Sequence, residues 1–525
     1  MNFDQIKIKE LIKRKIRNPD DLLNFKREMA KKFKIPLSSN TQLLREYHNL
    51  LEKKRIKKNE ILERILRKKP VRTLSGVAVV SLLTKPYSCP GKCIFCPTEK
   101  NLPKSYLRGE PAAERAFNLN FDPYDQVKKR VESLKAQGHP TDKIEIRIIG
   151  ATFSFYLKNY KIWFLANLFA AANERKKIKK ADIKNLKIEQ RFNEKAKNRV
   201  VGISIETRPD LVTEKEIILI RSLGVTMVEL GAQTIFDDIL KNCQRGHGKK
   251  ETISATKLLK DAGFKVMYQM MPNLPGSDSK KDLLAFKEIF GNENYKPDWL
   301  KIYPCLVCKR TKLYEIWRKG KYKSYPEKEL INLLIKIKKF TPEWIRIARL
   351  FRDIPAPLIE SGSKVSNLRE VVKTEMKKRN LKCKCIRCRE AGRNFNPKEK
   401  IFLFRKNYRA SNGKEIFLSF ENKKREKLFA FLRLRLPSNE VFIAVLRNSA
   451  IIREIHTYGQ QIPLKGKKTA VQHKGLGKKL IKEAEKITKK EFGLSKIAVI
   501  SGVGVREYYK KLGYKLKNEY MVKEV

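Results

Sequence analysis

Three cysteines crowd one short stretch, Cys89-Pro-Gly-Lys-Cys93-Ile-Phe-Cys96, and their spacing constrains the chain more than any other feature. Three thiolates on one loop can bind three irons of a four-iron cluster and leave the fourth iron without a protein ligand. Zinc is the alternative, but it usually takes four ligands, often as paired C-x2-C units. An apolar run, Val77–Val80, stands just before the loop and reads as a strand. A ligand-bearing loop directly after a strand is the arrangement of an enzyme built on a sheet.

From about residue 74 to 345, short apolar runs alternate with helical stretches. The runs are Val77–Val80, Ile144–Ile149, Val200–Glu206, Met227–Leu230, Val266–Met271 and Leu300–Tyr303. That alternation predicts an α/β fold with a parallel sheet, closed or partly closed as a barrel, whose chemistry collects at the carboxyl ends of the strands. Four segments are expected: a basic helical segment over 1–72, the alternating region over 73–345, a cysteine-containing linker over 346–395, and a small α/β unit over 396–525. Helical spacing appears early at Ile8, Leu11, Ile12 and Ile16, and again at Ile61, Leu62, Ile65 and Leu66. The last unit is expected to hold strands at Leu428–Leu436, Val441–Val445, Ile451–His456 and Ile497–Ser501. A helix over Lys478–Phe492 and a final helix with Tyr508 and Tyr509 complete it.

The chain carries 118 Lys+Arg against 56 Asp+Glu, a net charge of +62 over 525 residues. A field of that size argues for a polyanionic partner, most often nucleic acid, although a lysine-rich proteome would account for part of the excess. Residues 1–70 alone hold 21 Lys+Arg and 9 Asp+Glu, a net of +12. The nine cysteines group at 89–96, 305–308 and 383–388, with Cys243 apart. Such groups are metal or iron–sulfur ligands in a reducing compartment rather than disulfide partners. Cys383, Cys385 and Cys388 supply three soft ligands, and a structural zinc there needs a fourth, for which Cys308 or Cys305 is the candidate. No apolar run approaches the roughly 18 residues of a membrane span, and the basic first residues lack a signal-peptide core. A cytoplasmic protein with no membrane partner is expected.

The C-x3-C-x2-C spacing, with Phe95 before the last cysteine, resembles the radical SAM superfamily. That resemblance implies a [4Fe-4S] cluster on Cys89, Cys93 and Cys96 and S-adenosyl-L-methionine (SAM) on the open iron. The strand ends then carry candidate SAM contacts. Gly150 follows the second strand and permits close backbone approach. Glu206 and Arg208 end the third and suit the ribose hydroxyls and the amino-acid carboxylate. Gln233 lies just past the fourth strand and Gln269 in the fifth. A simple ion pair between Glu206 and Arg208 is the bland alternative.

Near the other end of the chain, Gln472-His-Lys-Gly475-Leu-Gly477-Lys478 precedes a helix and offers bare backbone N–H groups to a pyrophosphate. With its flanking strand it resembles the acetyl-CoA cradle of the GNAT family of N-acetyltransferases. Tyr508 and Tyr509 then fall near the CoA sulfur, where a tyrosine can protonate a leaving thiolate or line the pocket. Five histidines in the whole chain leave little for a His-based centre.

A radical SAM barrel followed by a GNAT-type domain resembles the catalytic-subunit family of Elongator, the tRNA wobble-uridine modifying enzyme. Phe121–Asp125, Gly202–Asp210, Met270–Pro275, Lys301–Pro304, Arg352–Pro355, Arg453–His456, Gln472–Gly477 and Tyr508–Tyr514 carry the match. The resemblance implies that a SAM-derived radical and acetyl-CoA together build 5-carboxymethyluridine at position 34, in the anticodon stem-loop of tRNA. It implies acyl-CoA contacts at Lys143, Glu454, Ile455, His456, Thr457, Leu476, Gly477, Lys478 and Tyr509, so that CoA bridges both halves. A reductant protein must feed the cluster, and the enzyme works alone or as a homo-oligomer. Ala151 after Gly150 replaces a family glycine, and Cys305 and Cys308 replace the usual Thr and Ile. Two other readings stand beside it: a protein lysine acetyltransferase using only the last domain, and a non-catalytic RNA-binding scaffold.

Overall fold

Apolar runs flanked by turn residues become seven strands of one parallel sheet, hydrogen-bonded in chain order. They are β1 (Ala78–Leu83), β2 (Lys143–Ile149), β3 (Arg199–Thr207), β4 (Met227–Gln233), β5 (Lys265–Met270), β6 (Trp299–Ile302) and β7 (Arg346–Arg349). The computed structural model describes residues 3–14, 16–67, 73, 76–150, 152–392, 399–458 and 475–525. The expected boundary at 345 falls one residue before β7, so the parallel sheet takes in the start of the expected linker. No ladder joins β7 to β1 among the described residues, which leaves the barrel open.

The side-chain period of two sorts each strand between helices and lumen. In β2, Ile144, Ile146 and Ile148 are buried against outer helices. One such helix, Lys158–Ala172, packs Phe164, Leu165, Leu168 and Phe169 at full burial. The opposite faces carry Ser81, Arg147, Glu206, Glu229, Gln269, Lys301 and Arg349, which line one cavity of about 240 Å³. The lumen is therefore polar, and Lys301 pairs there with both Glu206 and Glu229.

Before the barrel, helices Phe3–Lys13, Pro19–Phe33, Asn40–Glu52 and Glu60–Leu66 enclose a core of their own around Ile8, Leu11, Phe25, Leu44 and Tyr47. Ser39 and Gln42 close a capping box that starts the third helix. Of the expected second stripe, Leu62 and Leu66 face inward, while Ile61 is exposed.

The last unit forms a mixed seven-stranded sheet ordered β13-β14-β12-β11-β10-β9-β8. Its strands are β8 (Phe402–Ala410), β9 (Gly413–Glu421), β10 (Leu428–Leu436), β11 (Ala450–Thr457), β12 (Lys496–Val499), β13 (Lys515–Lys517) and β14 (Tyr520–Glu524). Two hairpins, β8–β9 and β13–β14, were not expected from the sequence. Each turns through two residues of positive φ, Ser411-Asn412 and Asn518-Glu519, as a tight hairpin requires. The expected strand Val441–Val445 is instead coil leading into a 3-10 turn at Ala444–Leu446. Ser438 explains the difference: its hydroxyl donates to Asp261 Oδ2 at 2.6 Å, which ties the chain to a barrel helix and away from the sheet.

This second sheet caps the amino end of the barrel. Arg453 donates to the carbonyl of Phe264, just before β5, and grips Asp298, just before β6, at 2.8 and 2.6 Å. Arg433 donates to the carbonyl of Trp344, just before β7, at 2.6 Å. Arg435 reaches Asp261 at 2.6 Å and Glu415 at 3.0 Å. These arginines are at most 1% exposed, so the junction is a buried ion network rather than a wet hinge. Among the described residues no helix is long and apolar enough to cross a membrane.

Candidate active site

The cysteine loop follows β1 at the carboxyl end of the barrel, the end remote from the second sheet. Ile94 and Phe95 are buried among Ile239, Leu274, Val307 and Leu313, which turns the sulfurs toward the cavity. Backbone bonds fix the loop: Ile94 N–H donates to the Cys243 carbonyl at 3.2 Å and Leu313 N–H to the Ile94 carbonyl at 2.9 Å. Cys89, Cys93 and Cys96 all line the cavity. The neighbouring Cys96 above all, helped by Arg245 and Arg208 and opposed by burial, draws the Cys93 thiol down to about 5. The same contact with Cys93, together with burial, pushes Cys96 up, so the two sulfurs share one thiolate and metal binding there would release the other proton. Among the described residues, the cysteine set whose sulfurs all close to within 4.8 Å is Cys383, Cys385 and Cys388. The wider set at 89–96 suits several irons better than one ion.

Arg208 does not pair with Glu206. It forks onto Asp210, with Nε to Oδ1 at 3.0 Å and Nη2 to Oδ2 at 2.9 Å. Its Nη1 is buried without a partner and lies against Gly91, where a Cβ would collide with it. Gln233 ends β4 at φ +68, and its Oε1 is likewise buried and unpartnered. A donor and an acceptor left orphaned at one cavity wall fit a polar ligand. Glu206 accepts from Tyr106 at 2.9 Å and Lys301 at 3.0 Å and remains on the cavity, as does Gln269. Gly150 serves a different need from the one expected. Its φ is +127, and a Cβ there would collide with Thr84 Oγ1, so the glycine lets the ends of β1 and β2 meet. It is not among the cavity-lining residues.

Sequence reasoning missed Tyr106, Arg245 and His247. Arg245 Nη1 donates to Cys93 Sγ at 3.3 Å, and its Nε to His247 Nε2 at 2.9 Å. Burial, and then the Arg245 charge, push His247 down to about 4. For Arg245 and His247 the sole signal was their closeness to Cys243 after β4, which no spacing template covers, and Tyr106 carried none.

In the second unit, β11 and β12 run parallel for three pairs, Ala450–Ile452 against Ile497–Val499. Beyond them β11 continues to Thr457 while β12 stops, so the two strands part. Gly475, at φ +67, opens the helix Leu476–Lys490 beside that gap. The position a Cβ on Gly477 would take is 3.5 Å from Tyr508 Oη, 3.7 Å from Thr457 Oγ1 and 3.9 Å from Ile455 Cδ1. Four residues expected together from sequence thus converge. Tyr509 is 4% exposed and packs edge-on against Tyr508 and Tyr514, whereas Tyr508 is 38% exposed. His456 lies beside the Phe431 and Tyr458 rings, and burial first, then Arg346, push it down to about 4. Glu454 is drawn into the junction, accepting from Arg433 at 2.9 Å. Leu476 is buried, Lys478 is exposed, and Gln472 lies outside the described residues. Lys143 opens β2 at the barrel end that faces the second sheet, two residues before Glu145, whose charge is felt by His456.

Cys308 does not complete the second cysteine group, contrary to expectation. It follows β6 and lines the cavity at the carboxyl end. Cys383, Cys385 and Cys388 come after β7 in the chain but lie beside its amino end, where Ile386 N–H donates to the Ile345 carbonyl at 2.9 Å. The helix Leu368–Lys378 carries the chain back from the carboxyl end, so the two groups stand at different ends of the barrel. Lys338 Nζ approaches Cys388 Sγ at 3.5 Å.

Comparison with known proteins agrees with this geometry. Residues 84–286 match the radical SAM superfamily and residues 297–378 the radical SAM C-terminal domain. Membership in that superfamily implies a [4Fe-4S] cluster and SAM. The tRNA uridine(34) acetyltransferase of Methanocaldococcus jannaschii is 49% identical over 499 residues, 92% of this chain and 90% of that protein. Elongator complex protein 3 of Schizosaccharomyces pombe is 40% identical over 483 residues, 88% of each chain. Among solved structures, archaeal Methanocaldococcus infernus Elp3 with an N-terminal deletion superposes with a TM-score of 0.75 at 44% identity, covering 86% of this chain and 100% of that one. Identity of this order over nearly the whole length shows that the chain belongs to the family of tRNA uridine(34) acetyltransferases and Elongator complex protein 3, within the radical SAM superfamily.

Proposed function

We propose that this enzyme is a tRNA uridine(34) acetyltransferase that uses acetyl-CoA and SAM to form 5-carboxymethyluridine at the wobble position. One observation carries the reading: a three-cysteine cavity and a glycine–tyrosine cradle sit toward opposite ends of one polar barrel, joined by a rigid junction. Cys89, Cys93 and Cys96 would hold the cluster. The free Nη1 of Arg208 suits the SAM carboxylate, and Gln233, Glu206 and Gln269 suit its remaining polar groups. Once bound, the pair supplies one-electron chemistry strong enough to join carbon to carbon, which an ordinary acyl transfer cannot do.

The mixed sheet with one parting parallel pair supports a GNAT-type acetyl-CoA domain over 396–525. Backbone N–H groups at Gly475–Lys478 would take the pyrophosphate. Ile455, Thr457 and Tyr508 would line the acyl arm, with Lys143 reaching it from the barrel. The lysine-acetyltransferase alternative needs a free carboxylate base. Burial raises Glu454, but Lys265 and Arg433 outweigh it and hold the carboxylate ionised and engaged. Tyr508→Phe should therefore cut product formation by about tenfold or more with the fold intact. Tyr509→Phe keeps the buried ring and its edge-on contacts, so it should leave stability and turnover closer to the parent than Tyr508→Phe does, which thermal denaturation beside the turnover assay will read.

The close-set Cys383, Cys385 and Cys388 fit a structural zinc with a fourth ligand outside the cysteines named here. Metal analysis of Cys385→Ser should show one equivalent of zinc lost, and a wild-type protein purified without zinc would refute the site. The basic surface would bind tRNA through phosphates. Affinity should fall at least ~10³-fold between roughly 50 and 200 mM salt, as a filter-binding series will show. All nine cysteines are unpaired, in keeping with ligand roles in a reducing cytoplasm. The function itself is tested by anaerobic incubation with SAM, reductant, acetyl-CoA and tRNA, followed by nucleoside mass spectrometry. 5-Carboxymethyluridine that requires all four components supports the proposal, and its absence from active, cluster-loaded protein overturns it.

A further inference from the structure

Arg245 belongs to none of the motifs that carry the family likeness, yet it is built into the cysteine loop. Its side chain is nearly buried, at 7% exposure. The guanidinium makes three fixed bonds: Nη1 to Cys93 Sγ at 3.3 Å, Nη2 to the Gly231 carbonyl at 2.7 Å and Nε to His247 Nε2 at 2.9 Å. Each neighbour is shaped for it. A Cβ on Gly231 would stand 2.5 Å from Arg245 Nη2, so the mid-strand glycine makes room for the fork. His247 accepts at Nε2 only with its proton on Nδ1, and Nδ1 faces the Gly248 carbonyl at 3.4 Å. The Cys243 carbonyl holds the loop backbone at Ile94, so one short stretch positions both the loop and a charge on its sulfur.

We propose that Arg245 sets the reduction potential of the cluster, raising it through a charge-assisted hydrogen bond to the Cys93 sulfur. The inference rests on the cluster reading given above. Reduction adds negative charge to a centre already surrounded by thiolates. A fixed cation donating to one ligand sulfur stabilises the reduced state more than the oxidised one. Arg208 is the other guanidinium near Cys93, but Asp210 forks onto it and offsets its charge. The three acceptors of Arg245 are a carbonyl, an imidazole and the sulfur itself, so its charge is directed at the ligand. Burial keeps water from screening it.

The test is a redox titration of anaerobically reconstituted protein, followed by electron paramagnetic resonance of the reduced cluster without SAM, acetyl-CoA or tRNA. Arg245→Gln removes the charge and should lower the reduced-to-oxidised ratio at fixed potential by about tenfold, or ~59 mV for a one-electron couple. Arg245→Lys keeps the charge but cannot span three acceptors, so its ratio should fall less. An unchanged ratio in both variants overturns the proposal. Should the Gln protein fail to retain iron, the Lys protein decides alone, a lower ratio supporting the proposal and an equal one sinking it. Iron loss from both variants also overturns it, because Arg245 would then be a scaffold for the loop. A wild-type protein that takes up no cluster would instead defeat the underlying cluster reading.

Discussion

Cys93→Ser protein will form no detectable modified uridine, yet it will bind acetyl-CoA as the parent does. A serine hydroxyl stays protonated near neutral pH and is a hard, weak donor to iron, so one of three ligands is lost outright. The loop itself should survive, because Ile94 and Phe95 hold it by burial and by backbone bonds to Cys243 and Leu313. The proposed acetyl-CoA cradle is on the second sheet, beyond the amino end of the barrel, and shares no side chain with the loop. Equilibrium binding of acetyl-CoA beside iron analysis and nucleoside mass spectrometry checks all three statements. Loss of acetyl-CoA binding along with the cluster would show that the two ends are not separate sites.

Asp298→Asn should destabilise the protein by about 3–5 kcal/mol, the largest stability effect expected here. Asp298 is fully buried, and Arg453 grips both of its oxygens, with Lys260 and Arg433 each at 3.7 Å. An amide of the same shape leaves those cations short of a countercharge they cannot replace with water. Burial works against ionisation, but Arg453, Lys260 and Arg433 hold the Asp298 carboxyl far below the usual range. The folded value lies below the unfolded one, so the contribution is complete above about pH 4 and fades only as pH falls toward the folded value. Burial pushes the partner Lys260 down to about 8, and loss of Asp298 lowers it further. The gap between parent and Asp298→Asn in denaturant titrations should therefore be full at about pH 5 to 6 and change only as Lys260 loses its proton at higher pH. No gap at about pH 5 to 6 would mean another group carries the junction.

The barrel was legible because its strands are short apolar runs punctuated by turn residues, and the cysteine loop was placed correctly just after β1. Period two alone could not say that Arg147, Glu206, Glu229 and Lys301 face a shared lumen, since charged residues on a strand usually mark a solvent face. Spacing also cannot tell which end of a parallel barrel a loop occupies, so Cys308 was drawn to the wrong cysteine group. Val441–Val445 has the composition of a strand, but a long-range bond from Ser438 to Asp261 decides its fate. Ser411-Asn412-Gly413 did carry a hairpin signal, but the mostly exposed strand before it lacks the apolar alternation that would have revealed it. Adjacent Tyr508 and Tyr509 were indistinguishable until helix phase turned one outward and buried the other. Arg245 was invisible because its role depends on Gly231 and Cys93, brought to it only by the fold.

If the barrel and the second sheet act together on one uridine, the methyl carbon of acetyl-CoA must end on that base, and methyl-deuterated acetyl-CoA will show it. Cluster-loaded protein, SAM, reductant and tRNA should place the label in the carbon 5 substituent of uridine 34, and nowhere in Cys93→Ser reactions. Label found on protein lysines, or on uridine in reactions without SAM, would show that the second sheet works without the barrel's chemistry.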